Sequence, residues 1–305
     1  MTVKEIINFL ENIASPALQE NYDNTGLIIG SSETECTGIL VALDATDEVV
    51  HEAIEKKCNL LIVHHPIIFG GLKKINPNGY VGKSVIAAIK NDIAIYAIHT
   101  NLDNVLHGVN GKMASQLQMT EISVLSPKNG ALSQIVTYVP TSHLDKVRDS
   151  LFSAGAGQIG NYDEAAFVQE GLGSFRALKG AKPFIGQEGK RHYEKEVRLE
   201  LIFPTVKQTE IISVLKSVHP YEEVAYNVTA LSNHDNHIGS GLIGSLPQAM
   251  EELAFLKLVK DTFSLKVLRH TRLTGNKIRR VALCGGAGSF LISKALSAKA
   301  DIFLT

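Results

Sequence analysis

The sequence predicts an α/β lobe interrupted by an inserted α+β domain. Three observations carry that prediction. Short apolar runs alternate with amphipathic stretches at helical spacing over residues 1–126, and again over residues 233–305. Residues 127–232 change character and read strand, helix, strand, strand, helix, strand. Two consecutive strands of the first part end in histidines and a carboxylate, at the rim where open α/β sheets place their ligands.

The lobe opens with a helix over residues 2–13, where Ile6, Ile7, Phe9, Leu10 and Ile13 recur at helical spacing behind a Thr2/Glu5 capping box. Asn21 to Gly26 form a polar turn into Leu27-Ile28-Ile29. Asp23 and Asn24 either close that turn or position water or substrate. A βαβ unit follows, with strands at 38–43 and 60–63 around a helix at 46–57. Its second strand runs directly into His64-His65-Pro66. Neighbouring side chains point to opposite faces while a strand lasts, but Pro66 ends the ladder, so both imidazoles can converge once the chain turns. Neutral imidazole is the commonest metal ligand; two partly buried structural histidines are the alternative.

A helix over 82–91 then leads to a strand over 93–98, which ends in His99-Thr100-Asn101-Leu102-Asp103. The two strand ends place imidazoles and a carboxylate on one rim, with Asp103 as the cap of a helix near Val109 as the competing reading. Histidine and carboxylate donors without thiolate suit zinc, iron, manganese or nickel.

In the insert, strands are expected at 133–139, 165–178, 195–203 and 223–229, with helices at 143–154 and 206–217. That order, βαββαβ, is the ferredoxin-like arrangement. His219-Pro220-Tyr221-Glu222-Glu223 falls at the last helix-to-strand turn and reads as a turn or subunit contact. Beyond the insert, Asn233 to His237 and then Gly239 to Gly244 are expected to form a flexible connection. A helix over 250–263 and a strand over 265–268 follow, and His234 and His237 read as loop histidines. The last segment echoes the first βαβ unit: Val281-Ala282-Leu283 parallels Val41-Ala42-Leu43, and residues 299–305 parallel 57–63. On that alignment the chain stops where the first copy reaches its histidine pair, so the lobe is expected to be truncated at its C-terminal end.

Composition narrows the function. A 45% hydrophobic and 20% charged chain of 305 residues is ordinary for a globular protein. A net charge of -1 argues against nucleic acid or an anionic membrane as partner. No apolar run approaches the ~20 residues of a membrane span. Cys36, Cys58 and Cys284 are scattered without a CxxC pair, which points to a reducing, cytoplasmic setting and away from a thiolate site.

Taken together, Tyr22-Asp23-Asn24-Thr25-Gly26-Leu27, Val41-Ala42-Leu43-Asp44-Ala45-Thr46, His64-His65-Pro66, His99-Thr100-Asn101-Leu102-Asp103, His219 to Tyr226 and Cys284-Gly285-Gly286-Ala287-Gly288 resemble the Nif-three-like family, whose members carry the label GTP cyclohydrolase 1 type 2 homologue. The resemblance implies a Nif-three-like α/β lobe with a ferredoxin-like insert similar to PII and copper-tolerance folds. It implies two divalent metal ions per subunit (zinc, iron or manganese), held by His64, His65 and Asp103 together with a His and a Glu beyond residue 305. His99 would lie beside the site. It also implies a homohexameric toroid. The function expected from the resemblance is a dinuclear-metal-dependent hydrolase of a small molecule, GTP cyclohydrolase-like, with Asp23, Asn24 and His99 as candidate catalytic residues. A non-catalytic metal-binding or regulatory ring protein is the alternative. Nothing in the sequence resembles a guanine or triphosphate pocket: there is no P-loop, and no basic cluster beyond Lys73-Lys74.

Overall fold

The computed structural model describes residues 1–305 as a mixed α/β fold with three four-stranded sheets. It divides into two compact units, residues 1–127 with 237–305, and residues 128–236. The first unit begins with α1 (Val3–Ile13), whose Thr2/Glu5 capping box is formed reciprocally. The chain continues through β1 (Gly26–Ile29), β2 (Ile39–Ala42), α2 (Asp47–Glu55), β3 (Leu60–Val63), α3 (Tyr80–Lys90) and β4 (Ala94–Ala97). A single helical turn, α4 (Thr100–Asp103), then leads to α5 (Val109–Gln116) and β5 (Thr120–Pro127).

The first sheet has the order β1-β4-β3-β2, with β2, β3 and β4 parallel and β1 antiparallel to β4. Every residue of β3 and β4 is buried. The cause is cover on both faces. Val50, Ala53, Val85 and Ala88 from α2 and α3 pack with Leu61, Val63, Ile95 and Ala97, while Val3, Ile6 and Ile7 from α1 pack with Leu60, Ile62 and Tyr96 on the other side.

The second unit runs β6 (Leu132–Pro140), α6 (Leu144–Ser153), β7 (Phe167–Arg176), β8 (Arg191–Pro204), α7 (Gln208–Val218) and β9 (Tyr226–Ala230). Its sheet has the order β7-β8-β6-β9, antiparallel throughout. Val147, Leu151, Ile211 and Leu215 of the two helices close a core with Ile135, Val139, Leu199, Leu201 and Phe203. His219 is buried and committed to the turn after α7: its Nε2 donates to the Tyr138 carbonyl at 3.0 Å, and its Nδ1 accepts the Tyr221 N–H at 3.1 Å. The Tyr221 hydroxyl in turn donates to Glu196 at 2.9 Å.

The first unit resumes with β10 (Gly239–Glu251), α8 (Glu252–Thr262), β11 (Lys277–Leu283), α9 (Ile292–Ser297) and β12 (Ile302–Leu304), in a sheet of order β12-β11-β10-β5. Here the structure corrects the sequence reading. Gly239 to Gly244 is no flexible connection but the start of the thirteen-residue β10, at the centre of this sheet. Its glycines mark close approach: a Cβ on Gly239 would lie 2.2 Å from the Ser126 carbonyl oxygen, and one on Gly244 2.9 Å from that of Thr120. The helix expected at 250 starts at Glu252, because Met250 and Glu251 still pair with Ile278 and Lys277. No strand forms at 265–268. That segment finds no partner strand, and the stretch from it into β11 exposes Lys266, Arg269, Arg272, Lys277, Arg279 and Arg280, a basic run larger than Lys73-Lys74.

The internal echo is visible in the backbone. Lys57 and Lys299 both sit at φ 57°. Cys58 N–H donates to Ala53 at 2.9 Å, as Ala300 N–H does to Ala295 at 3.0 Å. Both helices are thus closed by the same left-handed turn into a parallel strand. Val41 pairs with Ile62 but Val281 pairs with Ile302, two residues earlier in the aligned copy. An even slip keeps each side chain on its face.

Candidate metal centre

The histidine pair converges because the chain turns around one carbonyl. His64 and His65 both donate their backbone N–H to Leu43 O, at 3.2 and 3.0 Å, immediately past β3. His99 arrives from the end of β4. The ring centroids are 5.0 Å apart for His64 and His65, 5.0 Å for His64 and His99, and 5.4 Å for His65 and His99. One ring nitrogen from each of the three lies within 4.8 Å of the others.

All three rings are held by Nδ1. His64 Nδ1 lies 2.9 Å from the Ile98 carbonyl, His65 Nδ1 2.8 Å from Asp44 Oδ1, and His99 Nδ1 2.8 Å from Asp23 Oδ1. A carbonyl and two carboxylates only accept, so each Nδ1 carries a proton and Nε2 is the nitrogen left to face a metal. Burial also pushes the His64 pKa down, which favours the neutral ring a metal requires.

Asp23 is sealed, and both its oxygens are filled. Oδ1 takes His99 Nδ1 and Asn24 N–H; Oδ2 takes the Thr100 N–H at 3.1 Å and the Thr100 hydroxyl. Burial alone would raise its pKa, yet the hydrogen bonds from His99, Thr100 and Asn24 outweigh it and hold the carboxyl below the usual range. The Asn24 amide donates to Ile68 O at 2.6 Å and ties down the segment that follows the histidine pair.

Asp103 is the opposite case. Desolvation raises its pKa to about 6, against the pull of His99 and His65, and no hydrogen-bond donor supports its charge. It stands outside the 4.8 Å group but within electrostatic reach of two of the imidazoles. The competing reading of Asp103 as a helix cap does not hold, since α5 is preceded by Gly108 and has no side-chain cap. Cys284, at the end of β11, is buried, and its thiol is pushed up to about 11 by desolvation and the nearby Asp103 charge. It is therefore a neutral thiol near neutral pH.

His99, read from sequence as lying beside the site, is a full member of the imidazole group. His234 and His237 are exposed and outside it. The sequence reading missed the buried amides that brace α4. Asn101 Nδ2 donates to Ala14 O at 2.7 Å and Asn104 Nδ2 to Leu18 O at 2.9 Å, while Asn110 Nδ2 reaches Asp103 O at 3.0 Å and its Oδ1 accepts Gly285 N–H at 2.7 Å. The one available signal was three asparagines so close behind a ligand-bearing strand. Tyr22 and Phe69 form an exposed aromatic rim, with ring centroids 6.2 Å apart and Phe69 6.1 Å from His99.

Three imidazoles anchored at Nδ1 and offering Nε2 beside a desolvated, unsupported carboxylate form a donor set that fits a divalent cation, whose charge would compensate Asp103. The relatives agree with this chain along almost its whole length. The Bacillus subtilis "GTP cyclohydrolase 1 type 2 homolog" is 38% identical over 303 residues, covering 99% of this chain and 81% of its own. A Staphylococcus epidermidis protein of the same description is 34% identical over 308 residues, covering 100% of this chain and 83% of its own. The crystal structure of a Bacillus cereus protein related to NIF3 superposes with a TM-score of 0.87 at 38% identity, covering 99% of this chain and 81% of that one. With the Duf34/NIF3 (NGG1p interacting factor 3) description matching residues 1–305, the chain belongs to that family.

Proposed function

We propose that this chain is a divalent-metal protein and a metal-dependent hydrolase of a small molecule. The observation that carries the reading is the group of three Nδ1-anchored imidazoles within 4.8 Å. His64, His65 and His99 would hold the metal, with Asp103 as the anionic ligand, and the resemblance sets the expectation at two ions (zinc, iron or manganese). A bound divalent ion supplies Lewis acidity toward a substrate oxygen or imine. The Tyr22 and Phe69 rim suits a planar group, and exposed Lys73 and Lys74 on the next loop suit an anionic one. Both agree with a GTP-like substrate, which the names of the relatives suggest for those proteins.

The second unit is read as a ferredoxin-like insert, supported by its strand order β7-β8-β6-β9. Assembly into a homohexamer is supported by the apolar edge strand, where Ile39, Val41 and Leu43 are exposed. Three free cysteines favour a cytoplasmic setting. One observation favours the non-catalytic, metal-binding reading: Asp23 is filled by its neighbours, and Asp103 is the one uncommitted carboxylate described at the centre.

Elemental analysis of the purified protein, paired with a nucleotide and phosphoester hydrolysis screen under zinc, manganese or iron(II), separates these readings. Metal uptake and hydrolysis should be lost together in the His65→Ala/Asp103→Ala double variant, with circular dichroism unchanged. Metal without turnover selects the non-catalytic reading. Metal in neither wild type nor variant overturns both.

A further inference from the structure

The geometry assigns Asp44 and Asp23 a shared role as positioning residues: each holds the Nδ1 proton of one imidazole, and so leaves Nε2 of His65 and of His99 as the free donor. This rests on the metal-binding reading and extends it to two residues that touch neither metal nor substrate. Strand register delivers both. β2 and β3 run parallel with Ala42 opposite Val63, so two residues further on Asp44 falls beside His65. β1 and β4 run antiparallel with Gly26 opposite Ala97, so three residues before β1 Asp23 falls opposite Thr100, next to His99. One carboxylate therefore comes from each neighbouring strand, and each meets its ring at 2.8 Å.

The two supports are built differently. The Asp23 side chain has no exposed surface and bonds Asn24 and Thr100 as well as His99. The Asp44 side chain is 52% exposed, and its one described bond is to His65, itself 48% exposed. His64 relies on a neutral carbonyl. A carboxylate on the far nitrogen fixes the tautomer and ring orientation and raises the basicity of the metal-facing one, and loss of such a partner costs roughly 10–100-fold in metal affinity. Asp44 can be altered without touching the packed interior, so the His65 arm is where this role can be isolated.

The test reads tautomers in the metal-free full chain by long-range ¹H–¹⁵N correlation of the imidazoles, then zinc affinity by competition with a chromophoric chelator. In wild type, His65 and His99 should both show a protonated Nδ1 and a bare Nε2. Asp44→Ala should return His65 to the Nε2–H form and weaken zinc about 10–100-fold, with His99 unchanged as the internal control of folding. Asp44→Asn keeps an acceptor without the charge and should restore the His65 tautomer with part of the affinity. A wild-type His65 already protonated on Nε2, or an Asp44→Ala protein that binds zinc within about twofold of wild type, would overturn the assignment. Wild type with both tautomers in place and no zinc uptake overturns the metal reading instead, and the positioning role falls with it; the metal-free spectra tell the two failures apart.

Discussion

Replacing Asp103 with asparagine should stabilise the metal-free protein at alkaline pH and remove most of the further stability that metal adds to wild type. Desolvation opposes ionisation of this carboxyl and pushes its pKa from the ordinary 3.8 up to about 6 in the fold. A carboxyl whose folded pKa lies above its unfolded one binds its proton more tightly in the native state. Its contribution is therefore most favourable below pH 3.8, fades as pH rises to about 6, and is a constant penalty above that. The shift corresponds to at most about 3 kcal/mol, with residual solvent access reducing it. Asp103→Asn keeps the shape and removes the charge. In EDTA, urea unfolding followed by circular dichroism should then show the variant more stable by up to about 3 kcal/mol at pH 8, with the difference vanishing near pH 4. Adding zinc at 100 times its dissociation constant stabilises wild type by about 2.7 kcal/mol, and the variant, lacking the anionic ligand, should forfeit most of that. A metal-free variant no more stable than wild type at pH 8 would show that Asp103 is already compensated within the fold, and the argument for a cation beside it would fail.

Three further outcomes follow from neighbouring residues. Asp23→Ala leaves the His99, Thr100 and Asn24 donors without an acceptor in a sealed site, and thermal unfolding at pH 7 should show a loss of about 3–5 kcal/mol. Since the Asp23 pKa is depressed, wild type should keep that contribution at neutral pH and lose it only as pH falls below 3.8 toward the lower folded value. Gly108→Ala would bring a Cβ to 1.8 Å from Leu102 O, so the α4 turn that carries Asp103 must shift; an unfolding loss of about 2 kcal/mol or more and weaker zinc binding in calorimetry are expected. Cys284 should resist iodoacetamide at pH 8 while half-buried Cys36 and Cys58 react, as read by peptide mass spectrometry.

Periodicity made the first sheet legible because its signals are local. β3 and β4 are four-residue apolar runs punctuated by His64 and His99, and the helix between them carries apolar residues at helical spacing. β10 was illegible for the converse reason. Its glycines mean loop on propensity grounds, and only the presence of β5 and β11 on either side makes glycine the residue that fits. The segment at 265–268 failed in the other direction, since apolar residues suggest a strand but a ladder needs a free partner edge, and tertiary pairing supplied none.

The centre itself divides along the same line. Donors were readable because a histidine pair followed by proline at a strand end is a local event, and so was Asp103, four residues beyond His99. Their supports were not, because Asp44 and Asp23 act through register, twenty-one and seventy-six residues away from the rings they hold. The same limit hid Asn104, whose amide reaches back to Leu18 while its Oδ1 accepts the Ser240 hydroxyl, 136 residues ahead. A buried amide with partners on both sides couples the α4 turn to the end of the short Pro16–Leu18 turn after α1 and to β10 at once. Movement of either would displace Asp103 relative to the imidazoles. The ligands are therefore specified by short motifs, and their spacing is specified by polar residues that bond across the whole unit.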